Sequence, residues 1–348
     1  MQAQTQFENS GDLLINYSLL YILRSYGEVI VNDKNVPDWY IKQLGVKESE
    51  RLSNVTNKNF VIFILISLLK RGVNVYLFSG LGHFGGDSIT KAFKNFICGF
   101  IYMSFRILGA TIVKLGTSIG DISRILAVSE SFRAIFITYY LIRDSISIEK
   151  AHNIGIKKAK FCPDFAWAYI PVTKPRKQNI KNKIFFSFRE STLENNKRIE
   201  KIIKDIACKF PNHQILIGYQ VEFDREFCNT LSNDLLHFRD NVTFLDQRIT
   251  IYNADYAYNS TEYVFSNRLH VLLLSYKYGA SPIPVIDIEE NAKIAGIYTD
   301  AGLENTIIDY SDPLPDTFKT NNILFNTLEV QYSKEIISSI NAIFSTYP

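Results

Sequence analysis

Residues 73–78 (VNVYLF) and 109–115 (GATIVKL) are short β-rich runs, and each ends directly in a glycine-dense segment: SGLGHFGGD over 79–87 and GTSIGD over 116–121. A helical stretch leads on to residues 134–141 (AIFITYYL), a third strand-like run that passes straight into Arg143-Asp144. Strand, glycine turn and helix in alternation is the pattern of a parallel sheet with crossover helices. Ahead of it, residues 13–25 (LLINYSLLYILRS) carry apolar side chains at helical spacing after Gly11-Asp12, a helix start.

The character changes over residues 150–183, which hold nine Lys or Arg against a single acid, Asp164. The end of this segment, 173–183 (TKPRKQNIKNK), reads as an exposed linker. The alternation then restarts, with strands expected at 183–188, 214–218, 242–245, 263–266 and 284–288 and an amphipathic helix at 195–209. A chain of 348 residues suits about two domains at roughly 150 residues each. The expected organisation is therefore α/β, with two Rossmann-like domains, 1–175 and 183–348, facing each other across a cleft.

Hydrophobic residues at 47% and charged residues at 21% exclude a disordered chain. A net charge of +3 from 38 basic and 35 acidic residues is too balanced for bulk nucleic-acid binding. Cys98, Cys162, Cys208 and Cys228 are scattered, as in a reduced, cytoplasmic protein. The first residues, MQAQTQFENSGD, lack the basic and apolar regions of a secretory signal. Two apolar runs, 60–69 and 98–113, fall short of the ~20 residues a membrane-spanning helix needs. They read as buried elements, with a peripheral contact at the inner face of the cell membrane left open.

The most chemical segment is FSNRLH, residues 265–270, between an apolar strand and an apolar helix. It puts Asn267, Arg268 and His270 at the carboxyl end of a strand, where open α/β sheets bind anionic ligands. Arg offers a planar multi-donor fork for phosphate or carboxylate, and His can pass a proton near neutral pH. Arg189, closing the first strand of the second half, is a second anion-binding candidate. The glycine segment with Gly82 and His83 allows close backbone approach to a ligand, although a tight turn explains it almost as well. Asp12 at its helix start and Arg143-Asp144 at a strand end are either cleft residues or structural ones. No motif for a protein-built metal site or a G-x-S-x-G serine nucleophile is present.

These pieces come in a familiar order: N-x-GD (Asn9, Gly11, Asp12), a glycine loop, G-x-x-x-G, then R-D-x-x-S (Arg143, Asp144, Ser147). After them come P-D (Pro163, Asp164), F-R (Phe188, Arg189), R-L-H (Arg268 to His270) and a late Pro284 followed by K-x-x-G (Lys293, Gly296). Over residues 9–305 the chain resembles the polysaccharide pyruvyl transferase family. The resemblance implies a GT-B-like fold and transfer of a pyruvyl group from phosphoenolpyruvate to a sugar as a cyclic ketal, with no cofactor. It also implies that the Arg-x-His segment lies at the donor site, so that His270, Arg268 and Arg189 are catalytic. Asp12, Gly82, His83, Arg143, Asn267 and Lys293 would then contact the substrates, the acceptor being a sugar or lipid-linked oligosaccharide. The chain departs from the family in the bulky run FKNFICGFIYMSF, residues 93–105, and in its loop histidine. Two other readings remain: a GT-B-like glycosyltransferase using a nucleotide-sugar donor, and a non-catalytic glycan-binding protein.

Overall fold

The computed structural model describes residues 1–79, 81–173, 181–318 and 322–345. They form two compact units. One comprises Met1–Phe7, Ile15–Phe165 and the chain from Gln331 on; the other comprises Glu8–Leu14 and Ala166–Val330.

In the first unit, α1 (Ser10–Leu23) enters from Ile15 on, followed by α2 (Asp38–Gln43), α3 (Leu52–Val55), α4 (Phe60–Leu68), β1 (Tyr76–Phe78), β2 (Gly82–Gly86), α5 (Ile89–Ile107) and β3 (Thr111–Ile122). Next come α6 (Arg124–Ile135), β4 (Tyr139–Ile142), α7 (Ser145–Asn153) and β5 (Lys160–Phe161). All strand pairs are parallel, in the order β1-β3-β4-β5. Isolated bridges extend this order: Gln2 pairs with Asn32 and donates its N–H to Phe78 O, and Val31 pairs with Arg51. The first residues thus meet the edge of the sheet through a single bridge residue, Gln2. Tyr140, Ile112, Phe105 and Tyr102 pack into this unit's core.

Both glycine segments turn out to be strands. Gly82 to Phe84 pair with Thr117 to Ile119, so β2 resumes the edge that β1 began along the same long β3. The G-x-x-x-G run lies inside β3, and Gly116 (φ +62°) marks a bulge where the pairing with β4 shifts register. Gly80 lies outside the described residues. The expected strand at 134–141 is shorter, because Ala134 and Ile135 finish α6.

In the second unit the order along the chain is β6 (Lys183–Ser187), α8 (Leu193–Lys209), β7 (Gln214–Ile217), α9 (Arg225–Leu236), β8 (Val242–Phe244), α10 (Ala254–Tyr258) and β9 (Thr261–Ser266). Then follow α11 (Leu269–Lys277), β10 (Ser281–Ile286), α12 (Ala292–Asp300), β11 (Ile308–Asp309) and the start of α13 (Asn322–Phe344). The sheet is parallel throughout, in the order β11-β10-β9-β6-β7-β8. That is the doubly wound order, reversing direction between β6 and β9. Ile184, Phe186, Ile199, Ile203 and Phe265 fill its core.

The division differs from a single cut between 175 and 183, of which residues 175–180 lie outside the described residues. Helices, not linkers, carry two of the crossings. The first turn of α1 is tied to the second unit, where Ser10 N–H donates to Gln220 O at 2.9 Å and Asn9 bridges Val221. Within α13, Glu329 accepts from Lys277 Nζ and Tyr276 OH, whereas Tyr332 meets Phe161 and Phe344 stacks near Tyr26.

Candidate functional site

In a parallel sheet every strand delivers its carboxyl end to the same edge, and ligands bind where the winding reverses. In the second unit that point lies between the ends of β6 and β9, the strands that Arg189 and Asn267–His270 follow. Two side chains stitch the ends together. Asn267, buried, accepts from Arg189 N–H at 2.7 Å and donates to Arg189 O at 2.9 Å and Tyr310 OH at 3.1 Å. Ser266 Oγ donates to Ser187 O at 2.5 Å and accepts from Arg268 N–H at 2.9 Å. Asn267, expected to contact substrate, therefore spends its amide on the backbone of Arg189; it is a positioning residue.

Arg268 points its Nε and Nη2 at the buried carboxylate of Asp224, at 2.8 and 2.5 Å. Burial raises the Asp224 pKa, against the pull of Arg268 and Arg189. One edge of the Arg268 fork, Nε with Nη2, is thus taken by Asp224, which leaves the Nη1 edge for other acceptors. The Arg189 side chain is exposed, close enough for its charge to act on Asp224, and makes no hydrogen bond to a described residue.

His270 stands in the first turn of α11, partly buried. Its ring lies against Gly11: a Cβ built there would fall 2.2 Å from Nδ1 and 2.7 Å from Cγ. The N-x-GD motif explains itself at this contact. Asn9 Oδ1 accepts the Gly11 N–H at 2.9 Å, setting the start of α1, and Asp12 takes a weaker bond from Asn9 Nδ2 at 3.4 Å. Gln220, donating to His270 O at 3.4 Å and accepting the Ser10 N–H, holds the two helix starts together. Lys293 sits in the first turn of α12, after β10, on the same edge of the sheet.

The structure thus gathers Asp12, Arg189, Asn267, Arg268, His270 and Lys293 in the second unit, and it adds Gly11, Gln220 and Asp224. Asp224 went unnoticed in the sequence because an acid shortly after a strand is common; only its position opposite Arg268 distinguishes it. Gly82, His83 and Arg143 belong to the first unit. Gly82 and His83 lie on strand β2, not on a ligand loop, and the His83 ring covers Gly85 and Gly120. Arg143, 2% exposed, is a structural residue: its Nη1 meets Asp164 at 2.5 Å and its Nε meets Ser118 Oγ at 2.7 Å. Ser118 in turn donates to Asp144, whose other oxygen caps α7 through Ser147 N–H. The R-D-x-x-S motif is a buried splice of β3, β4 and α7. Among the described residues no three His, Cys, Asp or Glu side chains gather as a metal site requires.

A doubly wound parallel sheet with two arginines and a histidine after the strands at its reversal point defines an α/β protein whose candidate site lies at the carboxyl edge of β6 and β9. By fold, the chain resembles Anabaena Alr3699/HepE, crystallised with UDP and glucose, with a TM-score of 0.51 at 12% identity over 99% of this chain and 93% of that one. The S. aureus MnaA–UDP structure gives a TM-score of 0.48 at 10% identity, covering 94% and 88%. At 12% identity the likeness to the Anabaena protein concerns the fold alone, and it agrees with the α/β, GT-B-like class expected from the sequence. No curated protein matches the chain. The sequence model of polysaccharide pyruvyl transferases matches residues 9–288. The chain belongs to the polysaccharide pyruvyl transferase family, a family of transferases.

Proposed function

We propose that this protein moves a pyruvyl group from phosphoenolpyruvate to two hydroxyls of a surface-polysaccharide sugar, free or lipid-linked, forming a ketal. The observation that carries this reading is the pair Arg189 and Arg268 on either side of the β6/β9 reversal, Arg268 held by Asp224 and Arg189 by its backbone, with His270 following in α11. Phosphoenolpyruvate bears a phosphate and a carboxylate, and two guanidinium groups on adjacent strand ends can divide them. Lys293 adds positive charge on the same edge.

The reaction needs few protein groups. A proton adds to the enol methylene, making it a methyl; one sugar hydroxyl attacks the cationic carbon; the second hydroxyl then displaces phosphate. One hydroxyl proton replaces the proton consumed by the methylene, and the other leaves with phosphate. His270 delivers and collects these protons, since an imidazole can both donate and accept one.

The competing reading, a glycosyltransferase with a nucleotide-sugar donor, draws on the UDP and glucose found with the Anabaena protein of similar fold. Thermal unfolding separates the two without knowledge of the acceptor. Phosphoenolpyruvate at ~100 times its Kd is expected to stabilise the wild type by about 2.7 kcal/mol, and Arg268→Ala is expected to lose that shift. Stabilisation by a nucleotide sugar with indifference to phosphoenolpyruvate would overturn the pyruvyl transfer reading.

A further inference from the structure

We infer that the outward face of α5, continued by α6, docks on the surface of an anionic lipid bilayer. The inference rests on the first unit alone and does not depend on the donor assigned above.

A helix on the surface of a domain ordinarily turns its large apolar side chains inward. α5 reverses much of that pattern. Its buried positions include Ala92, Asn95 and Gly99, and the inward Gly99 lets Phe132 of α6 come so close that a Cβ would lie 2.6 Å from its ring. Asn95 is used inward too, donating to Glu130 and Ser129. Outward, Ile89, Phe93, Ile97, Phe100 and Ile107 repeat at helical spacing on one face, and they are 71, 66, 47, 56 and 78% exposed. Phe132 carries this face onto α6 by ring contact with Phe100 at 5.2 Å, and Val128 and Ile135 of α6 are exposed as well. Contrary to the sequence expectation, then, the apolar run at 98–113 is buried only in part. A row of this size left open marks a contact surface.

Charge identifies the occupant. From residue 52 to the end of α6 the chain has nine Lys or Arg and three acids, Asp87, Asp121 and Glu130, of which Glu130 is buried against Lys114 and Arg133. Lys70, Arg71, Lys94 and Arg106 are exposed. A protein partner is ordinarily met by a rim of mixed polar character; an apolar strip in a segment where basic residues outnumber acids three to one matches phosphate headgroups over acyl chains. No helix among the described residues is long and apolar enough to cross a membrane, so the contact is one of lying on the surface.

Flotation with vesicles tests this, using phosphatidylcholine alone and phosphatidylcholine mixed equally with phosphatidylglycerol. The wild type is expected to float with the mixed vesicles and to remain largely behind with the neutral ones. Phe93→Glu/Phe100→Glu is expected to lose binding roughly tenfold or more with an unchanged Tm, since both side chains are exposed. Lys70→Glu/Arg71→Glu/Lys94→Glu, which keeps the apolar row, is expected to lose the preference for phosphatidylglycerol. Equal flotation with both vesicles or with neither overturns the inference. So does a double variant that floats like the wild type. A wild-type dimer that Phe93→Glu/Phe100→Glu splits, without vesicle binding, would give the face to a second copy instead.

Discussion

Gly11→Ala is expected to lower turnover by about a hundredfold or more, the scale reached when a reacting group is misplaced by about 1 Å, although it adds a single methyl group. The new Cβ would lie 2.2 Å from His270 Nδ1, 2.7 Å from its Cγ and 2.9 Å from its Cβ. Rotating the imidazole cannot relieve the last of these contacts, because it involves the stem of the side chain. The two helix starts would have to separate, yet Gln220 binds both, through Ser10 N–H and His270 O. Overpacking of this kind costs roughly 1–3 kcal/mol, so Tm is expected to fall as well. The double variant Gly11→Ala/His270→Ala removes the obstruction and is expected to recover Tm while leaving turnover as low as in His270→Ala alone. The measurements are phosphate release from phosphoenolpyruvate and thermal unfolding of the three variants. Gly11→Ala with wild-type Tm and turnover would show that the ring and the helix start are not held against each other.

Glu130→Ala is expected to destabilise the first unit by roughly 3–5 kcal/mol, the cost of stranding a buried charge. Glu130 is fully buried, at 0% exposure. Its carboxylate takes Lys114 Nζ at 2.7 Å, Tyr140 OH at 2.7 Å, Arg133 Nη2 at 2.5 Å and Asn95 Nδ2 at 3.2 Å. Without it Lys114, itself buried and set over the Phe84 ring, would keep a charge with no counterion. Burial alone would raise the Glu130 pKa; Lys114 and Arg133 outweigh it and hold the group at about 2, below its ordinary 4.5. A carboxyl depressed on folding stabilises fully above its unfolded pKa and loses that contribution as pH falls towards the folded one. The stability lost between pH 4.5 and 2 is on the order of 3 kcal/mol. The wild-type Tm advantage over Glu130→Gln is thus expected to shrink as the pH is taken below 4.5; an advantage independent of pH would mean that the carboxylate charge is not what holds the network.

The sequence made the second unit easy to read because its chemistry is local. Strand, break and helix follow one another within a few residues at Phe188-Arg189 and at Ser266–His270, so the strand edge and the arginines could be placed without knowing the tertiary structure. What stayed hidden depends on distant partners. Asp224 acquires meaning only opposite Arg268, and Gly11 only under His270, across long stretches of chain. The first unit misled for the opposite reason. Its glycines suggested loops, yet a parallel neighbour, β3, pairs with Gly82–Gly86 whatever their intrinsic preference. Likewise the sequence left Arg143 and Asp144 open between cleft and structural residues, because their partners Asp164 and Ser118 lie more than twenty residues away along the chain. The bridge that Gln2 makes to Asn32 was invisible because Met1–Thr5 has no apolar alternation to announce it.

The central claim is that the donor anion sits at the carboxyl edge of β6 and β9 in the second unit. Hydrogen–deuterium exchange of the wild type with and without phosphoenolpyruvate tests it most directly. Protection is expected at the backbone amides of residues 188–191, 218–224 and 266–271, and it is expected to vanish in Arg268→Ala. Protection confined to residues 82–86 and 116–121 of the first unit, or its absence at saturating phosphoenolpyruvate, would contradict the account.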